Sequence, residues 1–179
     1  IIANTIINNQ KEDPVLEFAY QGPSLKYFGN KRFIVITGDV NFKITKNNKK
    51  EILGKCYKTI EIDNGDIIDI ISTNKSVYGY FTVNGGFKIN KVWGSYATTV
   101  RAEVGPNKGN KLLNGQNVNL NISNAIQNRS LNFVNSKIEF IRVIKGTNYE
   151  FFSDQSKRDF FSKEFVVTKL TDRMGMRLE

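Results

Sequence analysis

The sequence contains no histidine and a single cysteine, Cys56. Without imidazole, no Ser-His-Asp or Cys-His arrangement can be assembled, so any chemistry must use carboxylates, Lys, Tyr, Arg or backbone amides. The usual zinc sites lose their commonest ligand for the same reason, and no bound metal is expected. One thiol cannot close an internal disulfide, which fits a cytoplasmic setting. No Lys or His arrangement marks Cys56 as a nucleophile, and it reads as an ordinary half-buried thiol. Long apolar runs are also missing. The richest, residues 33–37 (FIVIT), is soon broken by charge or glycine and falls far short of the ~18 residues a membrane-spanning helix needs. A soluble protein with no membrane partner is expected. No P-loop is present, so phosphate chemistry would have to be supplied from elsewhere. The first residues lack Met, a basic n-region and a small-residue cleavage site, and read neither as a signal peptide nor as a natural start. The expectation is an internal piece of a longer protein.

What is present favours a packed domain. The 179 residues are 40% hydrophobic, enough for one ordinary domain or two small ones. The net charge of +9 would indicate nucleic acid only if the cations clustered. They are scattered instead. The densest group, Lys46, Lys49 and Lys50 beside Asn47 and Asn48, reads as a hairpin tip, so no nucleic-acid partner is expected.

Helical patterning is confined to the two ends. Residues 1–9 place Ile2, Ile6 and Ile7 on one side of a helix that stops before Pro14. A second helix is expected from Thr147 as N-cap to about Ser162, with Tyr149, Phe152, Phe160 and Phe161 as apolar contacts. Between them lie short runs rich in β-branched and aromatic residues, punctuated by Gly, Pro or Asn: residues 15–20, 32–38 and 41–45. Residues 59–72 read as a hairpin, Ile60 and Ile62 facing Ile67, Ile68 and Ile70 across Asn64-Gly65. Asn114-Gly115 marks a second turn of the same chemistry, and residues 76–86 a strand running into Gly85-Gly86. Residues 137–146 (KIEFIRVIKG) read as a strand, and residues 164–179 as strand, turn and strand. The expected fold is mainly β, a barrel or sandwich with one or two short helices.

The order of these elements carries a resemblance. Residues 80–105, YFTVNGGFKINKVWGSYATTVRAEVG, set Gly85-Gly86, Gly94-Ser95, Arg101 and Gly105 in a row. Leu16-Glu17, Gly22-Pro23 and Thr37-Gly38 precede them; the 111–120 turn region, IRVIKGTNYEFF and Asp172-Arg173-Met174-Gly175 follow. In this order they are similar to the family that holds the C-subunit of 5-oxoprolinase, allophanate hydrolase subunit 2 and the carboxyltransferase part of urea carboxylase. The resemblance implies cyclophilin-like β-barrel subdomains, residues 1–121 in a first and 137–179 opening a second; residues 122–136 between them, polar and with few apolar anchors, read as a linker or long loop. It also implies a small amide or ureido substrate and a homologous partner subunit, of the 5-oxoprolinase B-subunit or allophanate hydrolase subunit 1 type. The complex would use ATP, most simply to open 5-oxoproline to glutamate. Biotin enters only on the urea carboxylase branch, and a regulatory relative that antagonises a sporulation-kinase inhibitor supplies a non-catalytic alternative. Departures are Asn84 where family members commonly have Ala, Ala97-Thr98-Thr99 in place of a Ser/Thr-Asp pair, and Gly105-Pro106 in place of Gly-Gly.

The candidate catalytic residues are Arg173 and Asp39. The Arg173 guanidinium would grip a carboxylate or polarise a carbonyl, or else pair with Asp172 to fix a turn. Asp39 would act as a base or bind an amide N–H, or else stabilise its own turn. Candidate substrate contacts are Gly85 and Gly86, through backbone amides approaching an anion or simply as a turn, together with Gly94, Ser95 and Arg101. Trp93 and Tyr96 are expected to pack between subdomains.

Overall fold

The structure is a computed structural model and describes residues 1–123, 128–132, 140–172 and 175–179. The chain divides into two compact units, Ile1–Val134 and Asn135–Glu179.

The first unit opens with helix α1, Ile2–Ile6, and continues through eight strands: β1 Leu16–Ala19, β2 Ser24–Lys26, β3 Arg32–Thr37, β4 Val40–Thr45, β5 Glu51–Leu53, β6 Ile60–Ile62, β7 Ile67–Thr73 and β8 Tyr78–Val83. They form two four-stranded sheets in the orders β1-β8-β3-β6 and β2-β7-β4-β5, and every strand pair is antiparallel. The mainly-β expectation holds.

Side-chain alternation explains how the sheets meet. In β4, Val40, Phe42 and Ile44 are buried while Asn41, Lys43 and Thr45 face outward. They join Ile68 and Ile70 of β7, and Ile34, Ile36, Phe81 and Val83 from the other sheet, in one core. Strand β3 is buried on both faces. Ile34 and Ile36 enter that core, and Val35 between them packs with Ala3, Ile6 and Ile7, as a period of two requires. Full burial of each such side chain contributes about 1.5–3 kcal/mol. Helix α1 is therefore the cover of the outer face of β3. Ile2, expected on its buried side, is largely exposed instead, and the small Ala3 and the polar Asn4 lie inward.

The hairpin expected over residues 59–72 does not form. Strand β6 pairs with β3, and β7 pairs with β2 and β4, so the Asn64-Gly65 turn carries the chain from one sheet to the other. Turn chemistry is local and was legible; the partner on each side of the turn is decided by the core. Asn114-Gly115 likewise makes a turn, but no strands flank it, only an isolated bridge from Leu120 to Phe87.

In the second unit, helix α2 spans Asp154–Ser162, and strands β9, Val167–Asp172, and β10, Gly175–Leu178, pair antiparallel. The helix begins later than Thr147. Tyr149–Phe151 make a 3-10 turn, Phe152 is extended, and the Ser153 hydroxyl accepts the Ser156 N–H at 3.1 Å as N-cap, satisfying a donor the helix itself leaves open. Of the strand expected over residues 137–146, positions 140–146 are not part of a strand and are exposed. An apolar β-branched run becomes a strand only where a neighbour pairs with it. No helix among the described residues is long and apolar enough to cross a membrane.

Candidate functional site

The turn after β8 is the structural centre of the sequence motif. Gly85 and Gly86 both hold positive φ, 83° and 74°, a conformation glycine adopts without steric cost. Their amides point inward. Gly85 N–H donates to Asn9 Oδ1 at 2.9 Å, and Gly86 N–H to the Val83 carbonyl at 2.9 Å. Both are committed to the protein, so the pair forms no oxyanion cradle here. A Cβ at Gly85 would lie 2.3 Å from the Ile122 carbonyl oxygen; glycine is needed because backbone passes directly over it.

A buried polar network fixes this turn to α1. Asn4 Nδ2 donates to the Asp13 carbonyl at 2.7 Å, and Thr82 Oγ1 donates to Asn4 Oδ1 at 3.1 Å. Asn9 Nδ2 donates to the Val83 carbonyl at 2.9 Å. Asn84 Nδ2 donates to the Ile7 carbonyl at 3.1 Å, at the end of α1. Asn84 thus satisfies a helix-end carbonyl. Asn84→Ala should lower stability by about 1–3 kcal/mol, the cost of an orphaned buried acceptor; urea unfolding followed by circular dichroism checks it, and a change within error would detach Asn84 from the docking of α1.

Arg32 completes the arrangement from below. Its Nη1 donates to the carbonyls of Asn84 and Asn121 at 2.9 and 2.8 Å, tying the glycine turn to the segment that crosses it. Sequence reasoning missed Arg32 and Asn9. Arg32 stands among scattered cations and Asn9 among abundant asparagines, so neither position carried a signal.

Asp39 lies at the corner between β3 and β4. Its Oδ1 accepts Asn74 Nδ2 and its Oδ2 accepts Lys75 N–H, both at 3.1 Å, while its own N–H donates to Ser76 Oγ. The Asn74 side chain and the Lys75 amide hold its carboxyl below the ordinary aspartate range, a direction that makes it a weaker base. The geometry gives it a corner-fixing function.

Gly94 and Ser95 sit in a tight turn closed by Val92 and Ser95, which exchange backbone hydrogen bonds of 2.9 and 3.0 Å. Trp93 and Gly94 both hold positive φ, and Trp93 is 87% exposed at the tip. Ser95 Oγ accepts the Ala97 N–H at 3.0 Å. Lys91 Nζ lies 5.1 Å from the centre of the Tyr96 ring. Arg101 is exposed in the 3-10 turn Val100–Ala102, inside a loop closed by the Thr99–Val104 bridge. Arg173, which falls between β9 and β10 in the sequence, lies outside the described residues. The hydrogen bonds of Asp39, Gly85-Gly86 and Ser95 go to three different neighbourhoods.

Cys56 donates from Sγ to the Val40 carbonyl at 3.3 Å, and burial pushes its thiol up. It is a packed, protonated side chain. No group of three or more His, Cys, Asp or Glu residues suited to a metal occurs among the described residues. On the second unit, an open depression of about 510 Å³ is lined by Tyr149, Lys157, Arg158, Phe161 and Ser162. Lys145 and Lys157 Nζ stand 4.6 and 5.0 Å from the Tyr149 ring centre.

The comparisons with known proteins cover this whole arrangement. The family model described as "Carboxyltransferase domain, subdomain A and B" matches residues 1–179. The chain belongs to this carboxyltransferase-domain family. It is 23% identical to the C-subunit of 5-oxoprolinase from Haemophilus influenzae over 98% of its own length and 55% of that protein. It is 27% identical to urea amidolyase of Saccharomyces cerevisiae over 99% of its length and 10% of that protein. This carboxyltransferase-family chain therefore spans about half of the one relative and a tenth of the other. Its fold matches the crystal structure of the K. lactis urea amidolyase with a TM-score of 0.78 at 20% identity, covering 99% of this chain and 12% of that one.

Proposed function

We propose that this chain is part of a carboxyltransferase-type subunit in an ATP-dependent complex that opens 5-oxoproline to glutamate, acting with a homologous partner subunit. The observation that carries this reading is the family match along all 179 residues, supported by similarity to a dedicated 5-oxoprolinase subunit over 98% of the chain.

The geometry supports a division of labour. The Gly85 and Gly86 amides and the Asp39 carboxylate are spent on internal bonds, so these positions shape the scaffold. They offer no cradle for phosphate, and we place the nucleotide on another part of the assembly. Arg173 is the side chain assigned to substrate, its guanidinium fork suited to the carboxylate of 5-oxoproline. Gly94, Ser95 and Arg101 form the remaining exposed candidates. A second reading, transfer of a biotin-linked carboxyl group to urea, is favoured by the 27% identity to urea amidolyase.

The two separate by cofactor. The full-length protein, purified with the subunits encoded beside it, should convert 5-oxoproline to glutamate only when ATP is supplied, and without added biotin or bicarbonate. Arg173→Ala should abolish most turnover while leaving the circular dichroism spectrum unchanged. ATP consumption that responds to urea and bicarbonate instead would transfer the assignment to the second reading, and full turnover by the variant would remove Arg173 from the site.

A further inference from the structure

Three Asn-Gly pairs occur in the described chain: Asn64-Gly65, Asn84-Gly85 and Asn114-Gly115. Such pairs share a reaction that needs no enzyme. The backbone nitrogen of the glycine attacks the asparagine Cγ, forming a C–N bond as the amide C–N bond breaks and ammonia leaves. Water then opens the cyclic imide at either carbonyl, leaving aspartate or its β-linked isomer. The attack requires the glycine N–H to be released from other partners, the asparagine side chain to rotate toward it, and the intervening peptide to turn.

The three pairs differ in all three respects. At Asn84-Gly85 the asparagine is buried and donates to the Ile7 carbonyl, and the glycine N–H is bonded to Asn9. The Ile122 carbonyl packs directly against that glycine. At Asn64-Gly65 the asparagine Oδ1 accepts the Gly29 N–H at 3.2 Å, and the Gly65 N–H donates to the Tyr27 carbonyl at 2.9 Å. Asn47 lies against the Gly65 Cα, where a Cβ would come within 2.8 Å of its Oδ1.

Asn114-Gly115 is exposed, and no hydrogen bond among the described residues engages the Gly115 N–H or the Asn114 side chain. Nothing lies within 4 Å of a Cβ built on Gly115. Its turn is held by the Gln116 N–H on the Leu113 carbonyl at 3.2 Å and the Leu113 N–H on Gln116 Oε1 at 3.1 Å, both at the surface, where opening costs little.

We propose that Asn114 is a site of spontaneous deamidation and isoaspartate formation in this protein, and that Asn64 and Asn84 are protected by the fold. The product adds a carboxylate and, in the isomer, one extra backbone carbon just before the Leu120 bridge to Phe87.

The test is timed incubation of the full-length protein at mildly alkaline pH, followed by peptide mapping with mass spectrometry and by labelling with an isoaspartate-specific carboxyl methyltransferase. The peptide carrying Asn114 should convert first, with the other two lagging roughly tenfold or more because their turns must open beforehand. Unfolding the chain in denaturant should bring the three rates together, and Asn114→Gln should remove the early labelling. Conversion at Asn64 or Asn84 as fast as at Asn114 in the folded protein would overturn the proposal. So would equally slow conversion of all three before and after unfolding.

Discussion

Replacing Asp66 by alanine should cost about 1.5–3 kcal/mol of stability, the range for hydrogen bonds to a charged group. Asp66 is 1% exposed, and its carboxylate is satisfied three times over. Lys46 Nζ donates at 2.6 Å, Asp63 N–H at 2.8 Å and Asn47 N–H at 3.0 Å. Alanine would strip the Asp63 and Asn47 amides of their acceptor and remove the charge partner of Lys46, whose Nζ keeps only its bond to the Glu61 carbonyl at 2.8 Å; Lys46 joins the β4–β5 connection to the crossing between sheets. Denaturation in urea should show a lower midpoint with an unchanged slope.

Lys46→Met tests the same group from the other side. It leaves a buried carboxylate with its two amide donors, and the double variant should be less damaged than the sum of the singles, because partners in one pair are not additive. A wild-type midpoint for Asp66→Ala would sink the argument.

The acid limb of the stability curve should report the same residue. Burial alone pushes the Asp66 carboxyl up from its ordinary value of 3.8, but the Lys46 side chain, the Asp63 and Asn47 amides and the Lys46 charge together hold it lower. A depressed folded value means that the folded state releases the proton sooner. Its contribution is then complete above the ordinary aspartate range and lost as the pH falls through the lower, folded-state value. The gap between wild type and Asp66→Asn should therefore be widest above about pH 4 and close under stronger acid.

Asp66 also shows what could be read from the sequence. Ile62, Asn64-Gly65 and Ile68 announced a turn between apolar strands, and the turn exists; the carboxylate after it carried no mark of burial. Two of its partners, Lys46 and Asn47, lie 20 and 19 positions back, beyond the reach of local patterning. Residues 32–38 and 41–45, rich in β-branched and aromatic side chains, were legible as strands and form β3 and β4. Pairing order did not follow, since the tight turn at Gly65 is compatible with a hairpin or with a crossing between sheets.

The candidate site was legible to a similar depth. Gly85-Gly86 stood out as a pair whose amides would approach an anion or would simply permit a turn, and both residues hold the positive φ of a turn. What approaches is the protein's own Ile122 carbonyl and Asn9 side chain, and no local rule distinguishes such a neighbour from a ligand. Asp39 was visible as a corner aspartate, and its partners Asn74, Lys75 and Ser76 come from the β7–β8 connection, fixed only by the β4–β7 register.

Gly85→Ala should be among the most damaging single changes in the first unit. Two independent costs coincide. Alanine held at φ +83° is strained by about 1–3 kcal/mol wherever it occurs. Its Cβ would also meet the Ile122 carbonyl oxygen at 2.3 Å and the Ile122 carbonyl carbon at 2.9 Å, and backbone cannot rotate aside as a flexible side chain would. Relief requires residues 121–123 to lift, which pulls the Asn121 carbonyl from Arg32 and the Asn121 N–H from the Gly86 carbonyl. Gly94→Ala provides the control, because Gly94 has a similar φ of 78° with nothing within 4 Å of the added carbon. That variant should show the conformational cost alone. A Gly85→Ala protein that unfolds at the same urea concentration as Gly94→Ala would mean that the Ile122 crossing yields without cost, and that the glycine is kept for its conformation and not for the backbone passing over it.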